Sequence, residues 1–313
     1  MSGKHARRKP RWIYALFGVI TALAMSTALF LSPGGASAAD VFPSQDACHV
    51  TTNATPLGDC GPFKQVFRDT FNGRTVPVGS FSGCDHNADT PSAYCSGLTG
   101  ADRANWWAYP RGWFDTAESG ADGNGGRTFG GEYRADDTTS VGRQSATNAD
   151  GVLRVRMYRP AGGGLVHSSA PVPKKCMALR YGKFTERTRV LTRTSGYKMA
   201  HLHYTLDEID YPEAGGNFAG DPVSVFTHGF DEYGKDVAAN AAWTGWHTYS
   251  QEITPGHVKI YYDGKLVASR NADYPRAGDW VLQNESALSG GYAAPGSSVT
   301  ILTTGVSCYR YAP

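Results

Sequence analysis

Asp207-Glu208-Ile209-Asp210-Tyr211-Pro212-Glu213 decides the reading of this chain, because it sets four acids around two large apolar residues within seven positions. The apolar Ile209 and Tyr211 read as part of a strand, and strand side chains alternate between faces, so Glu208 and Asp210 point the same way. Two carboxyls so placed repel one another, which raises at least one pKa and favours a shared proton. Strict alternation sends Glu213, five positions after Glu208, to the opposite face. One extra residue restores it. A β-bulge supplies that residue, and Pro212, which has no N–H for the ladder, is tolerated there. All three acids then face one groove. Glycosidic cleavage with retention needs two carboxyls flanking the bond, one as nucleophile and one as proton donor, and this cluster offers both. From the acids alone, a calcium site or a solvated acidic loop is the competing reading.

Outward from this segment, apolar and polar residues alternate with period two. In Val152-Leu153-Arg154-Val155-Arg156-Met157-Tyr158, Leu153, Val155 and Met157 share one face of a strand. Val258-Lys259-Ile260-Tyr261-Tyr262, then Asp263-Gly264, then Lys265-Leu266-Val267 reads as a hairpin, since Asp-Gly supplies the positive φ angles of a two-residue turn. Long amphipathic helices are not evident. Many short strands punctuated by Gly, Asn, Asp and Pro predict an all-β antiparallel sandwich or jelly roll. Residues 84–143 read as long loops rich in Gly, Asp, Asn and aromatics, the usual place for binding surfaces on a rigid scaffold. Trp106, Trp107 and Trp113 are the candidate sugar platforms, because flat aromatic faces pack against pyranose C–H groups. The alternative is that these tryptophans plug the core.

The chain opens with Lys4, Arg7, Arg8, Lys9 and Arg11, followed by an apolar run to Leu31 and Ala36-Ser37-Ala38, the pattern of an export signal cleaved after Ala38. The run is also long enough to span a bilayer, so an uncleaved anchor competes. Loss of those five basic residues takes 30 Lys+Arg to 25 against 28 Asp+Glu, a net charge of −3. With the remaining cations scattered, this argues against a nucleic-acid partner and for a neutral one. The remaining length of about 275 residues suits one large all-β domain, 39–313, with an N-terminal extension at about 39–62. Cys48, Cys60, Cys84, Cys95, Cys176 and Cys308 are an even set in an exported chain, consistent with three disulfides. Cys48/Cys60 and Cys84/Cys95 are near enough to close short loops, which leaves Cys176 with Cys308, although other connectivities are open.

Together these residues resemble glycoside hydrolase family 16, the laminarinase-like jelly-roll enzymes, in its actinobacterial type. "FRDTFNG" (67–73) resembles the family's opening strand, "YGKFTERTRV" (181–190) a central strand, and "WHTYSQEITPGHVKIYYDGKLV" (246–267) the strands after the catalytic one. "EIDYPE" resembles the bulged catalytic signature. The resemblance implies a secreted retaining endo-β-glycosidase acting on a polysaccharide, with 1,3 or mixed 1,3-1,4 glucan favoured. Glu208 is then the nucleophile, Asp210 the residue that tunes it, Glu213 the general acid/base and His228 a groove residue. "DWVLQNESAL" (279–288) resembles a late strand, with Gln283 and Glu285 as substrate ligands or, equally, a structural pair.

The chain also departs from the family. Lys198 to Leu206 lacks the tryptophans common before the signature, and His201 and Tyr204 stand near their places as candidate subsite residues. His201 and His203 share a face, but no third metal ligand is evident. Where relatives hold a structural calcium with an acid of the last strand, "VTILTTGVSC" (299–308) offers Leu302. No cofactor is therefore expected, with a structural calcium the open alternative. Neither a membrane contact after signal cleavage nor an obligate dimer is implied. A non-catalytic carbohydrate-binding jelly roll and a transglycosylase using the same acids are the competing functions.

Overall fold

The computed structural model describes residues 58–85, 90–120, 130–205, 207–229, 234–240 and 243–313. The expected signal segment, Cys48 and most of the 39–62 extension lie outside the described residues. In chain order the strands of the first half are β1 (Phe63–Asp69), β2 (Trp106–Ala108), β3 (Gly131–Tyr133), β4 (Thr139–Arg143), β5 (Gly151–Tyr158), β6 (Val166–Ser168), β7 (Pro171–Pro173) and β8 (Gly182–Val190). The second half adds β9 (Tyr197–Tyr204), β10 (Glu208–Glu213), β11 (Val223–His228), β12 (Gly234–Ala239), β13 (His247–Thr254), β14 (His257–Tyr262), β15 (Lys265–Asn271), β16 (Asp279–Ser286) and β17 (Ser298–Tyr311).

These strands form the expected sandwich of jelly-roll type, antiparallel apart from the pairing of β3 with β6. A ten-stranded sheet runs β15-β14-β13-β8-β17-β5-β6-β3, with β1 on β17 and β4 on β5. A five-stranded sheet, β12-β11-β10-β9-β16, carries the acidic segment on its central strand, and β2 pairs with β7 alone. The Asp263-Gly264 hairpin forms as read: both turn residues have positive φ, 48° and 77°, joining β14 to β15. Leu153, Val155 and Met157 of β5 are all buried in the core, as their alternation predicts. Across the sandwich, Phe184 of β8 meets Trp280 of β16 with ring centroids 5.6 Å apart.

The disulfides Cys84–Cys95 and Cys176–Cys308 form, the latter with Cα atoms 5.8 Å apart, tying the turn before β8 to the last strand. Residues 84–143 depart from the reading as long loops. They contain α1 (Gly100–Asn105), α2 (Thr116–Ser119), α3 (Ala135–Thr138) and β2 to β4. Helix α2 is too short to persist by itself. Its cap Asp115 accepts from Glu118 N at 3.0 Å and also binds Gly131 N at 2.9 Å, so a side chain does the organising that a longer element would do.

Trp106 and Trp107 are corrected from sugar platforms to core residues. Trp106 is enclosed by Phe67 and Phe71 and donates its indole N–H to Asp69 Oδ2 at 2.9 Å; Trp107 is fully buried. Their three-residue strand puts neighbours on opposite faces, but both faces of β2 are covered, so adjacency placed neither ring at the surface.

Candidate active site

The bulge is present where the acids require it. Opposite β11, Asp210 pairs with Phe226 and Glu213 with Ser224; opposite β9, Asp210 pairs with Leu202 and Glu213 with Ala200. Three residues thus span what two span on each neighbour, and the extra one turns Glu213 back to the face of Glu208 and Asp210. The Tyr211–Pro212 peptide bond within this irregularity is cis. All three carboxyls line one groove of about 900 Å³.

The groove floor follows from sheet register. One cross-strand row runs Tyr204, Glu208, His228; the next Leu202, Asp210, Phe226, Lys235; the next Gln283, Ala200, Glu213. A last row pairs Glu285 with Lys198, and every residue named in these rows lines the groove. Trp113 and Tyr109 form a wall, with ring centroids 5.4 Å apart. Of the sequence candidates, Glu208, Asp210, Glu213, His228, Trp113, Tyr204, Gln283 and Glu285 therefore come together.

His201 does not. It lies on the other face of β9, buried between the sheets, with Nδ1 2.6 Å from Glu186 Oε1. Leu202 and Ala200 face the groove instead, so the register of β9 corrects the expectation that His201 lines a subsite. His203 shares the buried face, its Nε2 3.0 Å from the carbonyl oxygen of Leu179; burial pushes its pKa down to about 4 and keeps it neutral.

The electrostatics are dominated by burial. Desolvation, then the charge and hydrogen bond of Asp210, push Glu208 from 4.5 up to about 8. Desolvation and the charge of Glu213 hold Asp210 well above the usual carboxylate range. The two carboxyls are hydrogen-bonded to each other, so they hold one proton between them, with Glu208 the donor and Asp210 the acceptor. His228, 46% exposed, sets Nε2 3.1 Å from Asp210 Oδ2. Ligand atoms of Glu208, Asp210 and His228 lie within 4.8 Å of one another, the arrangement among the described residues that could hold a metal ion. A shared proton satisfies the same carboxyls, so their closeness does not require one.

Lys198 was missed as a site residue. It is nearly fully buried, with Nζ 2.9 Å from Glu213 Oε1 and 3.8 Å from Glu285 Oε2. Burial alone would lower its pKa, but the Glu213 and Glu285 carboxylates reverse that and raise it above the usual lysine value. Glu213 is raised by burial and drawn back by Lys198. The signal lay in the alternation: Lys198, Ala200, Leu202 and Tyr204 share a face. Glu285 also accepts from Thr116 Oγ1 at 2.6 Å and Tyr133 OH at 2.9 Å, so it is a buried structural anchor as well as a groove residue. Behind it Asp115 is pushed up to about 6 by burial and by the charge of Glu285.

Residues 134–294 match the family described as glycosyl hydrolases family 16. Among solved structures, the fold is similar to a β-1,3-glucanase from Mycobacterium marinum at 20% identity, covering 79% of this chain and 99% of that one, with a TM-score of 0.54. A laminarinase from Rhodothermus marinus shares 17% identity over 80% of this chain and 98% of its own, TM-score 0.52. The Bacillus licheniformis β-glucanase shares 15%, over 78% and 97%, TM-score 0.51. No curated protein matches the chain significantly.

Proposed function

The chain belongs to glycosyl hydrolases family 16 and is a glycoside hydrolase acting on O-glycosyl bonds, and from that premise we propose an exported, retaining, endo-acting enzyme that cuts a β-glucan with 1,3 or mixed 1,3-1,4 linkages. The observation that carries this reading is the register shift between Asp210 and Glu213, which brings three acids to one groove. In the empty groove the shared proton lies on Glu208, and its passage to Asp210 leaves Glu208 as the carboxylate that attacks the anomeric carbon. Glu213 gives its proton to the leaving oxygen, then takes one from the water that releases the sugar. Asp210 thereby serves as the site's proton store, and His228 at 3.1 Å steadies its charged form.

Trp113 and Tyr109 suit stacking against a sugar ring on the wall. The floor offers the apolar Ala200 and Leu202 beside the cleavage point. The glucanases and laminarinases of similar fold favour a β-1,3-linked glucan as substrate. Disulfides Cys84–Cys95 and Cys176–Cys308 suit an oxidising exterior, and no helix among the described residues is long and apolar enough to cross a membrane.

The test is a panel of β-glucans and algal galactans incubated with wild type and Glu208→Gln. Reducing ends released from laminarin or mixed-linkage glucan, with the β configuration retained, are expected from wild type alone. Equal turnover by the variant would remove Glu208 from the chemistry. Binding without turnover would select a carbohydrate-binding module.

A further inference from the structure

Glu213 is not surrounded symmetrically. On its own strand the nearest charge is Asp210; from β16 it faces Glu285, which lies against Lys198 at 3.8 Å; from β11 it faces His228; from β9 it meets Lys198 at 2.9 Å. Behind Glu285 lie Asp115 and Tyr133. Buried carboxyls thus outnumber the one buried ammonium in contact with them, and that ammonium lies on Glu213. A lone carboxyl in such company would hold a proton tightly, because burial and like charges both disfavour its ionised form. Lys198 opposes both.

We propose that Lys198 is a positioning residue that holds Glu213 by a buried ion pair, favours its carboxylate form against the surrounding acids and so sets the alkaline limit of proton delivery by that residue. The inference rests on the hydrolase reading for its consequence, but the contact itself does not. Lys198 is nearly fully buried in the groove floor and makes its closest ion pair, 2.9 Å, with Glu213. Its neighbours on the same face, Ala200 and Leu202, leave no other acid of β9 in reach.

The kinetic signature is directional. On the alkaline flank kcat/KM falls in proportion to the protonated fraction of Glu213; on the acid flank it follows the ionised fraction of Glu208. Removing the Lys198 charge raises the proton affinity of Glu213 and leaves the Glu208 limb nearly alone. The ratio of Lys198→Met to wild-type kcat/KM therefore climbs with pH, whichever carboxyl titrates first. An opposite charge in direct contact shifts a carboxyl by about 1–3 units, so a climb of about ten-fold or more is expected. A merely structural lysine would lower the rate by the same factor at every pH.

The experiment follows the Glu213 side-chain carboxyl by carbon NMR across pH in the full chain, assigned with Glu213→Gln, alongside kcat/KM on laminarin. Lys198→Met should move the midpoint up by about one unit or more, and Lys198→Arg should restore the wild-type midpoint. Glu285→Gln, which removes a repelling charge, should move it down, and this variant decides the matter should Lys198→Met not fold. An unchanged midpoint in Lys198→Met, or in Glu285→Gln where that variant alone folds, overturns the proposal. Failure of wild type to cut laminarin, or undiminished cutting by Glu208→Gln, counts against the hydrolase reading, while the NMR midpoint still decides the role of Lys198.

Discussion

Glu208→Gln should make the protein progressively more stable than wild type as pH rises. The Glu208 carboxyl titrates near 4.5 in the unfolded chain and at about 8 in the groove, raised by burial and by Asp210. A folded-state pKa above the unfolded one means the native state holds the proton more tightly, so stability is fully present below 4.5 and lost as pH climbs through 8. At about 1.36 kcal/mol per unit the whole span is worth about 4–5 kcal/mol, an upper figure given the partial exposure of Glu208. Glutamine keeps the shape of the neutral acid and its N–H donates to Asp210, but it has no proton to lose. The assay is thermal unfolding of both proteins at acidic, neutral and alkaline pH. The melting-point difference should widen by at least roughly 5 °C from acid to alkaline conditions. A difference constant with pH would refute the buried, proton-sharing placement of Glu208.

Three further outcomes follow from the packing. His201→Ala should destabilise the fold by about 3–5 kcal/mol, since it leaves Glu186 buried without its ring partner, while KM for laminarin stays unchanged; denaturant melts and steady-state kinetics check both. Trp113→Ala should raise KM about three- to ten-fold by removing a stacking face from the groove wall, with kcat little altered. Replacing Cys176 and Cys308 together by alanine should lower stability by about 2–4 kcal/mol, measured by chemical denaturation.

The strands were legible because alternation and turn chemistry are local. Leu153, Val155 and Met157 announced a buried face, and Asp263-Gly264 announced a hairpin. The acidic segment was legible for a stronger reason: three acids and a proline on a strand make sense together only with a bulge, and the bulge is there. Which face of β9 is the groove was not legible. Lys198, Ala200, Leu202 and Tyr204 alternate with Met199, His201 and His203, and neither set is clearly the more apolar, so only the pairing in the sheet decides that the two histidines are core and the lysine faces the groove. Trp106 and Trp107 were misplaced because composition marks a tryptophan as large and apolar without saying which surface closes over it. The Lys198 contact with Glu213 joins two strands at a bulge, a geometry no spacing rule reports.

The central claim is that the side chain at 208 becomes covalently linked to sugar during turnover. Peptide mass spectrometry after incubation with a 2-deoxy-2-fluoro laminari-oligosaccharide carrying a good leaving group, which slows hydrolysis of the glycosyl-enzyme, reads this directly. An adduct on the peptide containing Glu208, absent from Glu208→Gln, is the predicted result. An adduct confined to Glu213 or Asp210 in an enzyme that turns over laminarin would contradict it.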